Sequence, residues 1–134
     1  MSQKHRPTEL KLHHKSRVLE VTFDDGAHFR LPCEFLRVFS PSAEVRGHTA
    51  DAWKLETGKE QVNIEKMEQI GGYAVKIYFD DGHKTGLYDW NYLYNMGTGR
   101  AELWALYLER LRNAGQQRNG PDPFETLETE GSMT

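Results

Sequence analysis

Six histidines, one cysteine and two Asp-Asp pairs are the side chains here whose types could do chemistry. His13 and His14 are neighbours on a predicted strand, so they point to opposite faces and cannot chelate together. His28 and His83 take nearby places in two predicted hairpins, and His48 falls in an irregular stretch. With Cys33 alone and no His-x3-His pair, a zinc site would need distant groups to converge. Solvated or hydrogen-bonded histidines are therefore expected. The alternative is a zinc or iron site on His83 with His28, His48 or Cys33. Asp24-Asp25 and Asp80-Asp81 each precede a glycine at a predicted hairpin tip, which marks them as turn formers rather than a catalytic carboxylate pair. Cys33 lacks a neighbour that would lower its pKa and reads as a half-buried apolar residue. No Gly-rich phosphate loop, GxSxG elbow or HExxH helix occurs. The chain reads as a non-enzyme, with no catalytic residue and no cofactor.

Two stretches are better suited to recognition. Arg37, Arg46 and His48 flank Ser40-Pro41-Ser42, a predicted helix start whose N–H groups and two hydroxyls could hold an anion or a partner's carboxylate. The competing reading is an internally capped loop with Arg37 in a structural ion pair. Trp90, Tyr92 and Tyr94 crowd one short helix. An exposed ring there would mark a protein-binding patch, against core packing with Trp90 and Leu93 turned inward.

The elements that must position these groups are legible. Val75, Ile77 and Phe79 alternate with Lys76 and Tyr78, the period of a strand with one buried face. Asp81-Gly82 signals a type I′ hairpin, and Gly71-Gly72 lets a preceding strand fold back. Asp89 caps a helix through Met96, closed by Gly97. Upstream, Leu10 and Leu12 suggest a first strand. Leu19, Val21 and Phe23 line one face of a second, and Phe29 and Leu31 sit on a third. Pro32 then starts a helix burying Phe35, Leu36 and Phe39. The halves repeat at an offset of 56: Leu19, Val21, Phe23, Asp24, Asp25, Gly26 and Leu31 match Val75, Ile77, Phe79, Asp80, Asp81, Gly82 and Leu87. Two hairpin-plus-helix units in one sheet are expected.

Between the halves, Trp53 and Leu55 suggest a short extended piece. Val62 and Ile64 begin a strand whose alternation slips near Lys66, as at a bulge. From Arg100 the period is 3.6: Leu103, Trp104, Leu106, Tyr107, Leu108 and Leu111 form an apolar arc, with Thr98 as N-cap and Gly115 after the end. The fold class is α+β, with antiparallel hairpins, a short helix after each, and a longer C-terminal helix packed on the sheet.

Length and charge bound the rest. The 134 residues suit one domain, assigned to 10–115 between a flexible N-terminus, 1–9, and a disordered acidic tail, 116–134. Net charge −3, from 17 basic and 20 acidic residues, argues against broad nucleic-acid binding. One cysteine excludes an internal disulfide, and no run approaches a membrane span. A cytoplasmic protein whose partner is another protein is expected.

The strings LPCEFLRVFSPSAEVRGH and IYFDDGHKTGLYDWNYLYNMG resemble the γ-butyrobetaine hydroxylase-like N-terminal domain family, a domain of unknown function. The resemblance covers roughly Leu10–Leu111 and implies a small α+β fold. In large dioxygenases this domain precedes a separate iron- and 2-oxoglutarate-dependent jelly roll, which has no counterpart here, so no hydroxylase activity is expected. There it looks like a zinc module, with cysteines after a Leu-Arg pair and a histidine in an Asp-Gly-His turn. Leu36-Arg37 and Asp81-Gly82-His83 match. The cysteine positions fall at Ser40, Ser42 and Val45, leaving His83 as the one inherited ligand. Similar domains fused to P-loop ATPases of iron–sulfur cluster assembly imply a docking or accessory role.

Overall fold

A computed structural model describes residues 5–42 and 54–125. Strands β1 (Pro7–His13), β2 (Val18–Phe23) and β3 (His28–Pro32) form one antiparallel sheet in that order. The chain passes directly into helix α1 (Cys33–Val38). Strands β4 (Ile64–Ile70), β5 (Ala74–Phe79) and β6 (Gly86–Asp89) form a second sheet, followed by helices α2 (Trp90–Thr98) and α3 (Arg100–Asn113). The class is α+β. The single sheet expected from sequence is instead two, because both sheets turn their apolar faces into one shared core. Leu19, Val21, Phe23 and Leu31 from the first meet Val75, Ile77, Phe79 and Tyr88 from the second in that core. Among the described residues, no helix is long and apolar enough to cross a membrane.

The halves repeat in register as well as in sequence. Leu10 opposes Val21 and Leu12 opposes Leu19 in the first sheet; Met67 opposes Ile77 and Gln69 opposes Val75 in the second. Each first strand carries a bulge at the same place, between Pro7 and Glu9 and between Ile64 and Lys66. The third strands correct the sequence alignment. Leu31 opposes Leu19, but Tyr88, not Leu87, opposes Val75. The second turn holds one extra residue, so Leu87 is pushed to the outer face, 43% exposed, while Tyr88 fills the core. The turns themselves match: Phe23 N–H donates to Ala27 O at 2.8 Å, and Phe79 N–H to His83 O at 2.9 Å. The extra residue therefore follows His83. Gly82 has φ +92°, whereas no aspartate of the turn has positive φ, so this is not a type I′ hairpin.

Each half also latches the other. Arg37 on α1 donates through Nε to Asp81 Oδ2 in the second turn at 2.8 Å. Tyr94, its counterpart on α2, donates through its hydroxyl to Asp25 Oδ2 in the first turn at 2.7 Å. Asp89 caps α2 by accepting from Tyr92 N–H at 2.7 Å. The helix runs past Gly97 to Thr98; Gly97 is buried within it, where a Cβ would stand 2.4 Å from the Phe29 ring. Close approach is thus what this glycine permits. Gly99 rather than Thr98 precedes α3. That helix ends as expected at Gly115, φ +71°, with Gln116 N–H on Leu111 O and Gly115 N–H on Arg112 O. Trp104, Tyr107 and Leu111 are buried, but Leu106 is 40% exposed. The rings of α3 meet α1 and the chain end rather than a sheet, Trp104 on Phe35 and Phe124, and Tyr107 on Phe39 just past α1.

The ends differ from expectation. Strand β1 takes in residues 7–9, paired from Pro7 onward. Residues 116–125 return to the body, where Arg118 bonds Glu34 and Phe124 packs on Phe35, which a purely acidic reading of the tail overlooked. Residues 126–134 lie outside the described residues, as do 1–4 and 43–53, including Trp53.

Candidate functional site

The turn after β5 and the chain leaving α1 build a buried polar node. His83, 7% exposed, shares a hydrogen bond of 2.9 Å between its Nε2 and Ser40 Oγ. Ser40 is fully buried and also accepts from Ser42 N–H at 3.3 Å. Ser42 Oγ lies 2.6 Å from Thr85 Oγ1, tying the chain to the residues just past His83. Asp81 stands at the mouth. Its Oδ1 accepts from His83 N–H, and its Oδ2 from Arg37 Nε and from Lys59 Nζ at 2.7 Å. Partial burial pushes the Asp81 carboxyl up, but the bonds from Lys59, His83 N–H and Arg37 outweigh it and hold the pKa at about 2. Arg37 Nη1 faces Glu56 Oε1 at 3.6 Å.

The internal repeat shows what is special about this node. In the first half, the position of Gly86 is taken by Phe29, and that of Ser40 by Gly97: ring over glycine. In the second half the sizes are exchanged. Gly86 lies under Ser40, and a Cβ there would stand 2.7 Å from Ser40 Oγ. The space that Phe29 fills with an apolar ring is thus given to a serine and a histidine. Buried polar groups are costly unless paired, and this pair is paired.

The residues singled out from sequence divide accordingly. Arg37, Ser40 and Ser42 are brought together with His83, but all are buried, so they do not form an open docking loop. Arg46 and His48 lie outside the described residues. Trp90 is 4% exposed, with Nε1 donating to Gly72 O at 2.8 Å, so it is a core anchor and not a patch. Tyr92 is half-buried and donates to Phe39 O. His28 shares Glu20 with His13 on the outer face of the first sheet, far in chain and register from His83. Cys33 is buried against Asn63 Oδ1 at 3.8 Å, and burial pushes its thiol up to about 12. A thiol so raised is a poor nucleophile at neutral pH.

The zinc set implied by the family resemblance does not fit these residues. Ser40 and Ser42 offer neutral hydroxyls already bonded to His83 and Thr85, where zinc needs thiolate or imidazole. Among the described residues, no group of three His, Cys, Asp or Glu is arranged to hold a metal. Sequence reading missed the Lys59–Asp81 bond, the Glu34–Arg118 pair and the Tyr94–Asp25 latch. Only the repeated Asp-Asp-Gly carried a trace of the last.

The sequence model described as gamma-butyrobetaine hydroxylase-like, N-terminal, matches residues 10–94. The chain belongs to that family. Two proteins solved by solution NMR resemble it with TM-scores of 0.74. One is 50% identical, covering 88% of this chain and 90% of the other; the second is 42% identical, covering 88% and 93%. A crystal structure of a protein of unknown function from Acidithiobacillus ferrooxidans, assigned to the DUF971 family, is 38% identical with a TM-score of 0.57, covering 69% and 92%. None of the curated proteins matches. The family is thus one of domains without an assigned activity.

Proposed function

We propose that the chain is a non-enzymatic accessory module that docks on another protein through the second hairpin tip. The observation that carries this reading is the internal bonding of the node beneath an exposed turn. His83, Ser40 and Asp81 are spent on internal partners, Arg37 gives its Nε to Asp81 while its Nη1 stays at ion-pair distance from Glu56, and the turn that carries Asp81 and His83 projects Asp80, Gly82, Lys84 and Thr85 to the surface. Buried hydrogen bonds of this kind rigidify a loop, and a rigid loop loses little entropy on binding. A partner in iron–sulfur cluster assembly or a metabolic enzyme is the form suggested by the family resemblance, and the single cysteine favours a meeting in the cytoplasm. Nucleic acid and membrane are not the partners this net charge of −3 favours.

The repeat supplies its own control. Full-length protein carrying Asp80→Lys and Lys84→Glu should lose a partner that wild type captures from its source cells. Asp24→Lys, at the equivalent first tip, should retain it. Equal loss from both variants, or from neither, removes the second tip as the docking surface. Elemental analysis tests the metal alternative: stoichiometric zinc or iron lost on His83→Ala would replace the docking reading.

A further inference from the structure

Three peptide bonds in this chain join an Asn or Asp to a glycine: Asp25-Gly26, Asp81-Gly82 and Asn119-Gly120. Such a pair closes a succinimide ring readily, because glycine has no Cβ to obstruct attack by its backbone nitrogen on the preceding side-chain carbonyl. The reaction needs a free side chain, an unengaged glycine N–H and water. In both hairpin turns the fold withholds the first two. Gly26 N–H donates to Phe23 O at 3.0 Å, and Gly82 N–H to Phe79 O at 3.2 Å. Asp25 accepts from Ala27 N–H and the Tyr94 hydroxyl, and Asp81 from His83 N–H, Arg37 and Lys59. These bonds keep both side chains ionised at neutral pH, and a carboxylate is a poor electrophile.

Asn119-Gly120 differs on each count. Both residues are exposed. Among the described residues, neither the Asn119 side-chain amide nor Gly120 N–H has a hydrogen-bond partner. The bond from Asn119 N–H to Glu60 Oε2, at 2.7 Å, engages neither reacting atom. Gly120 has φ +97°, a conformation that suits glycine and no bulkier residue. The other asparagines precede side chains. Asn91, Asn95 and Asn113 lie within α2 and α3, and the Asn63 side chain is bonded to His14 O and Ile64 N–H.

We propose that Asn119 is a site of spontaneous covalent modification. Gly120 nitrogen bonds to Asn119 Cγ, the Cγ–Nδ2 bond breaks, and ammonia leaves with the proton that the glycine nitrogen gives up. Water then opens the ring to isoaspartate or aspartate, so water is the sole co-reactant. The product places a carboxylate where acids already gather. Glu60 holds Asn119 N–H, and both Glu60 and Asp122 act on the buried Glu34 that Arg118 neutralises. The new charge opposes those contacts, and isoaspartate also adds a methylene to the backbone between Arg118 and Phe124. None of these atoms belongs to the second tip, so the site stands apart from the docking reading above.

Peptide mapping by mass spectrometry tests this on folded, full-length protein held in warm, mildly alkaline buffer. Isoaspartate and aspartate should accumulate at 119 about tenfold or more faster than any other asparagine or either Asp-Gly pair reacts, since groups held out of attack geometry lose at least that factor. Asn119→Gln, which would have to close a larger ring, should stay unmodified there. Folded protein that remains intact at 119 overturns the proposal, and so does an equal rate at Asp25 or Asp81. The added charge is read from Asn119→Asp. Its urea midpoint should fall below that of Asn119→Gln at low salt and approach it at high salt. Coincident midpoints at low salt overturn the opposition to Glu34 and Glu60.

Discussion

At the scale of single residues, Asp81 carries the clearest prediction. Three donors meet on its carboxylate, and its pKa falls from 3.8 to about 2. The folded state therefore holds this proton less tightly than the unfolded state. The stabilisation is present in full above about pH 4 and disappears as pH falls through about 2. Asp81→Asn should cost about 1–2 kcal/mol at neutral pH, after allowing for solvent at the turn. Urea titrations of variant and wild type should converge toward pH 2; a gap that persists there would locate the effect elsewhere. Sequence reading identified Asp81 as a turn former, and its bond to His83 N–H agrees. Its bond to Arg37, 44 residues away, has no signature in local spacing. The structural ion pair weighed for Arg37 is present, but local spacing does not name Asp81 as its partner. Burial of a charge depends on a partner that only the tertiary fold supplies.

Periodicity made most elements readable, since inward and outward side chains alternate from Leu19 along β2 and from Val75 along β5. The slip near Lys66, the Asp89 cap and the Gly115 ending were legible because each rests on a local rule. The extra residue after His83 was not. Two Phe-Asp-Asp-Gly strings align without a gap, and Leu87 offers an apolar match that conceals the shift to Tyr88. Glycine roles were also misjudged, because a close approach depends on what lies opposite. Gly97→Ala would gain helix propensity, yet its new methyl would stand within the Phe29 ring. A loss of about 1–3 kcal/mol is expected from overpacking, read from the urea midpoint. In the second half, where the glycine sits on the strand instead, Gly86→Ala should also destabilise, and adding Ser40→Gly should recover part of the loss. A double-mutant cycle with no such coupling would refute the exchange of sizes between the halves.

Viewed as one molecule, the repeat was visible in sequence as an offset of 56, but its packing was not. Each helix reaches across to the opposite turn, Arg37 to Asp81 and Tyr94 to Asp25. Neither half closes its own core, since Leu36 O and Phe39 O on the first half receive the hydroxyls of Tyr88 and Tyr92 from the second. Covalent continuity between Ser42 and Lys54 is thus not what keeps the halves together. A chain severed there and produced as two co-expressed pieces should reassemble into a stoichiometric heterodimer with the intact protein's amide spectrum, while either piece alone gives the spectrum of an unfolded polypeptide. The same reciprocity makes such a cut a natural place to build a split reporter, or to carry an inserted passenger sequence.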